Sequence, residues 1–335
     1  MQAPSRLRLA HTPTPLLEPR GLDRWLGGAR LFVKHDDMTG GATAGNKVRK
    51  LEYLLADAVA RKATTVITCG GLQSNHARAT AICARQLGLN SVLLLRTKDS
   101  EQPLSSFAPV GNLLLGRLVG ADIRLISPEQ YRSRNEAMAK VAREVTAQGG
   151  VPYVIPEGGS NALGSLGYVR AMKEIQRQLE VGLAGGEPFD LVVHACGSGG
   201  TAAGVVVGAA TYGVARAARA MAVCDNNEYF LNVVGPLVAE LKTVFGFDQT
   251  LPVVIDDSAK GPAYAVASPE QQARIVAVAR ASGLLLDPVY TGKAFVGLLD
   301  MAARGELAGK RVLFLHTGGL PGLLADGPLF ASALG

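Results

Sequence analysis

The stretch Gly40-Gly-Ala-Thr-Ala-Gly-Asn-Lys47 runs straight into a segment with helical spacing whose apolar face is Val48, Leu51, Leu55 and Val59. Asn46 is the expected N-cap, which puts Lys47 in the first turn. There the positive end of the helix dipole and partial burial both disfavour an ammonium ion, so the side chain is poised to be a neutral amine, able to act as nucleophile or base. A solvated lysine at a helix start is the plain alternative. Gly40 to Gly45 also has the internal spacing of a phosphate loop, yet Asn46 intervenes before the lysine and Val48 replaces the Ser or Thr that would hold magnesium. That argues against an NTPase.

A second stretch, Cys69-Gly-Gly-Leu-Gln-Ser-Asn-His-Ala-Arg78, follows the β-branched run TTVIT and opens a helix running to Gly88. Ser74 and Asn75 stand at that helix start among free backbone N–H groups, a place that binds a carboxylate and is equally served by ordinary caps. The third, Cys196-Gly-Ser-Gly-Gly-Thr-Ala-Ala-Gly204, lies between LVVHA and an apolar helix. Strand, glycine turn and helix make a cup of backbone donors for a phosphate. The same letters satisfy a dinucleotide fingerprint, with Asp225 after the next strand as its acid, so an NAD-dependent oxidoreductase is the rival reading.

The elements that must position these turns are legible from periodicity. Short runs at LFVK (31), TTVIT (64), SVLLL (91), DIRLI (122), VPYVI (151), DLVVHA (190), AMAVC (220), PVVI (252) and RVLFLH (311) alternate with helical patterns. Strands spaced by helices mean parallel sheets with right-handed crossovers, hence an α/β protein. Ser127-Pro-Glu-Gln130 and Ser268-Pro-Glu-Gln271 each join an N-cap, a proline at the first helical position and a capping-box glutamine, with Gly149 and Gly283 as stops. A length of 335 residues suggests two domains, and 48% hydrophobic against 19% charged residues excludes wholesale disorder.

The net charge of +6 is scattered, with no basic run, so no nucleic-acid partner is expected. The modest positive field suits a small anionic substrate or a solvated surface alike. Cys69, Cys83, Cys196 and Cys224 lie far apart without ligand spacing and read as reduced, buried thiols of a cytoplasmic protein without a metal. The N-terminal stretch is broken by Pro before an apolar h-region forms, so no secretory signal is expected. The uncharged run from Ala195 to Ala215 reads as a loop and a buried helix rather than a membrane span. His194 reads as a core residue, His316 as structural, and Asp36 and Asp37 as turn formers.

Seven blocks, AGNKVRKLEYLLADA, GGLQSNHARATA, IPEGGSNALGSLGYV, GSGGTAAG, GPAYAVAS, LLLDPVYTGKA and LFLHTGG, occur in this order between about residues 12 and 322. Together they resemble the pyridoxal-phosphate enzymes comprising D-cysteine desulfhydrase and 1-aminocyclopropane-1-carboxylate deaminase. The resemblance implies a two-domain, tryptophan synthase β-like fold of type II, with parallel-rich twisted sheets flanked by helices. Residues 1–50 plus 161–335 would form the large domain and 51–160 the small one. It implies pyridoxal 5'-phosphate as cofactor and a homodimer. Lys47 matches the lysine bonded to the cofactor aldehyde and is the expected base for the α-proton. Gly197, Ser198, Gly199, Gly200 and Thr201 match the phosphate loop, and Asn75 the residue beside the pyridine hydroxyl. Ser74 matches the residue at the substrate carboxylate, with Gln73, Asn75 and His76 beside it in substrate binding. Tyr264 and Tyr290 match two active-site tyrosines, candidates for orienting substrate or protonating the leaving group.

Thr291 and Thr317 are the discriminating positions, both at the cofactor. Ring-opening deaminases carry Glu and Leu there, and the desulfhydrases Ser or Thr and Thr. The resemblance therefore implies a β-eliminating lyase on a small amino acid, with D-cysteine, giving sulfide, pyruvate and ammonia, as first choice. Ring-opening deamination, or elimination or replacement on another substrate such as L-cysteate, is the alternative. Ala44 departs from the family's Gly-Gly-Asn-Lys, adding a methyl at a tight turn. The stretch 210–257, with Cys224-Asp-Asn-Asn-Glu-Tyr229, falls between the blocks.

Overall fold

A computed structural model describes residues 4–334. Ten strands form two sheets: β1 (Leu16–Leu17), β2 (Arg30–His35), β3 (Thr65–Gly71), β4 (Asn90–Arg96), β5 (Asp122–Ile126), β6 (Pro152–Val154), β7 (Leu191–Cys196), β8 (Ala218–Ala222), β9 (Ile255–Asp256) and β10 (Arg311–His316). The six-stranded sheet runs β1-β2-β10-β7-β8-β9 and is parallel except for β1. The four-stranded sheet runs β5-β4-β3-β6 and is parallel throughout. The inner strands β3, β4, β7 and β10 are buried on both faces, which explains why they read as unbroken apolar runs rather than alternating ones. Of the expected strands, PVVI differs. Only Ile255 and Asp256 pair with β8, and Pro252 lies outside the ladder it cannot donate to.

The helices are α1 (Asn46–Ala60), α2 (Asn75–Gln86), α3 (Gly111–Leu118), α4 (Pro128–Arg132), α5 (Arg134–Ala147), α6 (Ala162–Glu180), α7 (Gly200–Thr211), α8 (Asn227–Phe245), α9 (Pro269–Ser282), α10 (Thr291–Ala303), α11 (Leu320–Ala325) and α12 (Ala331–Leu334). Both capping boxes form, at Ser127 and Ser268, and Gly149 and Gly283 take the positive φ of helix stops. The first of those helices breaks at Ser133 into α4 and α5. In α1, Val48, Leu51 and Leu55 are buried as expected, but Val59 is exposed and Leu54 takes its share of the core. Helix α7 is buried almost all round, in keeping with the reading of the uncharged run.

Helix α1 leaves the six-stranded sheet after β2 and leads into the four-stranded sheet at β3, so its register fixes what faces the space between them. Asp36, expected to be only a turn former, is in fact fully buried beneath it. Its carboxylate accepts from Arg49 at 2.8 and 2.7 Å, from the Tyr168 hydroxyl at 2.7 Å and from the Thr14 hydroxyl at 2.9 Å. Glu174 accepts from Arg49 and from Lys34 at 2.6 Å. Two cations and two carboxylates thus cancel inside the fold. Burial raises Glu174, but the hydrogen bonds and charges of Arg49 and Lys34 outweigh it and bring the carboxyl down to about 2.

Removing one member leaves an odd buried charge, which costs about 3–5 kcal/mol. Asp36→Asn and Arg49→Met should each lower the thermal midpoint, while Asp36→Leu with Arg49→Met, which leaves Lys34 and Glu174 paired, should cost less than the sum. Because the folded Glu174 pKa lies below its ordinary 4.5, its contribution is whole above that pH and fades as pH falls towards 2. Midpoints measured across that range check both points, and single variants as stable as the parent would refute the role of the network.

Candidate active site

A cavity of about 490 Å³ opens where the carboxyl ends of β3, β4 and β7 meet the start of α1, the place where open parallel sheets bind ligands. Lys47 lines it. The helix begins one residue earlier than expected: Gly45, at φ 115°, is the N-cap, and Asn46 makes no cap. The Asn46 side chain instead links two functional turns. Its Oδ1 accepts from Lys47 Nζ at 2.9 Å and its Nδ2 donates to Thr201 Oγ1 at 3.1 Å. Burial first, and the Arg78 guanidinium second, bring the Lys47 ammonium down to about 8. Lys47 is half-buried in the cavity wall rather than free in solvent. The positive φ falls on Gly45, so the extra methyl of Ala44 meets no backbone strain.

Sequence reading missed Lys50, one turn further along α1 on the same side. It is buried, with Nζ donating to the Gly158 carbonyl at 3.1 Å and to Ser160 Oγ at 3.3 Å, and burial with the charge of Lys47 drives its pKa well down. A Cβ on Gly200 would come 3.0 Å from Lys50 Nζ and 2.8 Å from Ser160 Oγ. On Gly199, at φ 81°, it would come 2.7 Å from Val233. Positions 199 and 200 of the turn 197–201 are therefore open only to glycine, with Lys50 against the second. Gly197, Ser198, Gly199 and Thr201 line the cavity, while Gly200 turns its N–H to Ser160 Oγ at 3.2 Å.

Across the cavity, Ser74 caps α2 by accepting from Ala77 N–H at 3.1 Å. Asn75 lines the cavity and its Oδ1 accepts from Asn112 at 3.0 Å. Arg78, buried without a carboxylate partner among the described residues, donates to the Ala42 and Ala44 carbonyls and ties this turn to the lysine turn. His76 also lines the cavity, but its Nε2 is 2.9 Å from Thr68 Oγ1, whose proton goes to the Ile155 carbonyl. The ring is therefore held at Nε2–H, and Nδ1 has no partner. Gln73 is not in the wall: its amide serves Val110 O and Asn112 N–H at 3.2 and 2.8 Å.

Tyr264 and Tyr290 meet hydroxyl to hydroxyl at 2.7 Å, and Lys47 Nζ lies 5.9 Å from the centre of the Tyr290 ring. Burial raises both phenols. The Tyr290 hydrogen bond and the Arg96 charge temper the rise at Tyr264, while Tyr264 pushes Tyr290 further up. Lys293, another residue the sequence reading passed over, donates to the Val223, Lys260 and Ala263 carbonyls at 3.0, 2.7 and 2.8 Å and so pins the loop carrying Tyr264. Thr317 lines the cavity. Thr291 does not: its hydroxyl donates to Asp287 at 2.6 Å and accepts from the Asp287 N–H at 2.9 Å, behind Tyr290.

Among the other readings, His194 is buried in β7 and His316 is fastened to the Leu285 carbonyl. Cys69, Cys83 and Cys196 are buried free thiols, whereas Cys224 is only half-buried. With Asp225 and Tyr229 it contributes the stretch after β8 to the cavity wall. No helix among the described residues is long and apolar enough to cross a membrane, and no group of metal-ligating side chains occurs among them.

Comparison with known proteins agrees with the geometry. The chain is 43% identical to the bifunctional D-cysteine desulfhydrase/1-aminocyclopropane-1-carboxylate deaminase, mitochondrial, of Arabidopsis thaliana, over 98% of this chain and 81% of that one. It is 40% identical to a D-cysteine desulfhydrase of Yersinia pestis over 96% of both chains. A crystal structure described as that of the ACC deaminase homologue superposes with a TM-score of 0.89 at 36% identity, covering 98% of this chain and 96% of that one. The sequence profile described as pyridoxal-phosphate dependent enzyme matches residues 7–318, so with its buried amine beside a glycine cradle this chain belongs to the pyridoxal-phosphate-dependent enzymes.

Proposed function

We propose that this enzyme is a β-eliminating lyase acting on a small amino acid with a leaving group on its β carbon, D-cysteine first among them. The observation that carries the reading is Lys47, an amine whose pKa is brought down to about 8 in one cavity with a glycine-rich turn and the helix start at Ser74. The donor set fits pyridoxal phosphate. The turn 197–201 would supply N–H and hydroxyl donors for a phosphate, with Lys50 close behind Gly200, and Lys47 the amine for an aldehyde. When bound, the cofactor supplies an electron sink for the charge left on the α carbon.

The chain's own groups then have assigned tasks. Ser74 and the free N–H groups at the start of α2 hold the substrate carboxylate, with Asn75 beside it. Lys47 takes the α-proton at Nζ. The hydrogen-bonded pair of Tyr264 and Tyr290 orients the substrate and returns a proton to the leaving group. Overall, D-cysteine and water give pyruvate, hydrogen sulfide and ammonia.

The choice of elimination over ring opening rests on threonine at 291 and 317, since ring opening asks more of the electron sink than loss of a good leaving group. Thr317 is the nearer support for it, because the Thr291 hydroxyl is engaged by Asp287. On the same reading, residues 1–50 with 161–335 form the large domain and 51–160 the small one. The active form is a cytoplasmic homodimer.

Purified protein should absorb in the visible with pyridoxal phosphate, and Lys47→Ala should lose both that band and, by at least about a hundredfold, turnover. Sulfide and pyruvate release from D-cysteine should exceed product release from L-cysteine, L-cysteate and 1-aminocyclopropane-1-carboxylate. A Lys47→Ala protein that keeps the band, or preference for the cyclopropane substrate, would overturn the respective parts. Lys47 must be neutral to join an aldehyde, and its pKa of about 8 sits below the ordinary 10.5. Cofactor loading of the apo chain should therefore quicken with rising pH and level off above about 8. A rate still climbing towards pH 10 would show an ordinary, exposed amine.

A further inference from the structure

Arg96 ends β4 opposite Gly71 in the strand register, and Gly71 accepts the Ser74 N–H at 3.0 Å, so the arginine stands one strand away from the carboxylate turn. Its guanidinium lies 4.7 Å from the centre of the Tyr131 ring and 4.9 Å from that of Tyr264. Two aromatic faces hold it at the cavity wall. Of the acids lining the cavity, Glu157 is engaged by Arg134 at 3.0 Å and the Tyr131 hydroxyl at 2.5 Å, and Asp225 by the Cys224 thiol at 3.1 Å. Among the described residues the Arg96 guanidinium has no ion pair and donates no hydrogen bond, its only neighbours of note being the two rings. A rigid fork of donors facing a cavity without a partner is suited to a carboxylate, sulfonate or phosphate.

The cavity thus presents three places for anions. The cradle at 197–201 suits the cofactor phosphate and the turn at Ser74 suits the α-carboxylate. Resting on the lyase reading above, we infer that Arg96 is a specificity-determining residue that binds an anionic group on the substrate's β carbon, so the enzyme favours amino acids bearing a second negative charge. A thiolate meets the requirement, as does a permanently charged oxyacid group, whereas a neutral hydroxyl does not. The leaving group would then depart beside Tyr264, which shares a ring face with Arg96.

The test titrates the holoenzyme with both enantiomers of serine, cysteate and O-phosphoserine, following the visible spectrum of the cofactor. Within the preferred hand, the charged ligands should bind at least about tenfold more tightly than serine. In Arg96→Met that ratio should fall to near one, and Arg96→Lys, which keeps the charge but loses the fork, should fall between. A wild-type ratio near one overturns the inference without any variant. So does a ratio unchanged in Arg96→Met while all affinities drop together, which would assign Arg96 to the α-carboxylate. A spectrum that responds to serine but is blind to charge defeats this inference alone, whereas one that no amino acid perturbs defeats the lyase reading with it.

Discussion

Two buried cations, Lys50 and Arg78, stand close behind the half-buried Lys47 of the cavity wall, and none of the three has a carboxylate partner among the described residues. Burying a cation costs several kcal/mol unless it is neutralised, so the fold carries this charge only because other groups relieve it. Lys47 and Lys50 respond by lowered pKa values, and Arg78 is brought down to about 10 by the same burial while leaning on backbone carbonyls. The arrangement is electrostatically suited to an anion. A phosphate in the glycine cradle would have Lys50 close behind Gly200, and its charge would offset what the protein has concentrated there.

The opposite side of the same helix keeps that arrangement in register. Arg49 lies between the two lysines in sequence but faces Asp36 and Glu174, so any rotation of α1 that moved Lys47 would break a buried ion network. Close helix packing reinforces this. A Cβ on Gly167 of α6 would come 2.5 Å from the Arg49 carbonyl, and glycines 204 and 208 let α7 press equally closely on α6. The cradle at the start of α7 and the lysine on α1 are thus held together through α6.

What the sequence shows plainly is local. Glycine turns between strand and helix, the capping boxes and eight of the nine expected strands depend on neighbours within a few residues, and they stand where periodicity puts them. What it hides is long-range. The Asp36 carboxylate serves residues 13 and 132 positions away, and Lys50 meets Ser160 across 110. Asn46 has the chemistry of a cap yet spends it on Thr201, because Gly45 already supplies the backbone conformation that begins the helix. Gln73 and Thr291 sit inside recognisable blocks, but each is engaged by a neighbour no motif records, Asn112 and Asp287.

The lysine turn and the Thr317 turn form one unit. Asn46 N–H donates to the Thr317 carbonyl at 3.0 Å, and a Cβ placed on Gly318, at φ 95°, would come 2.8 Å from the Gly45 Cα. Two backbones touch there with no room for a side chain on either. This explains why Ala44 is tolerated while the glycine beside it is not free to change: the alanine keeps an ordinary φ, and its carbonyl still accepts from Arg78 at 3.0 Å. It also joins the start of α1 to the turn that carries Thr317. A shift of the backbone at position 317 would therefore be passed to the residues that precede Lys47, so the amine's placement depends on these few atoms.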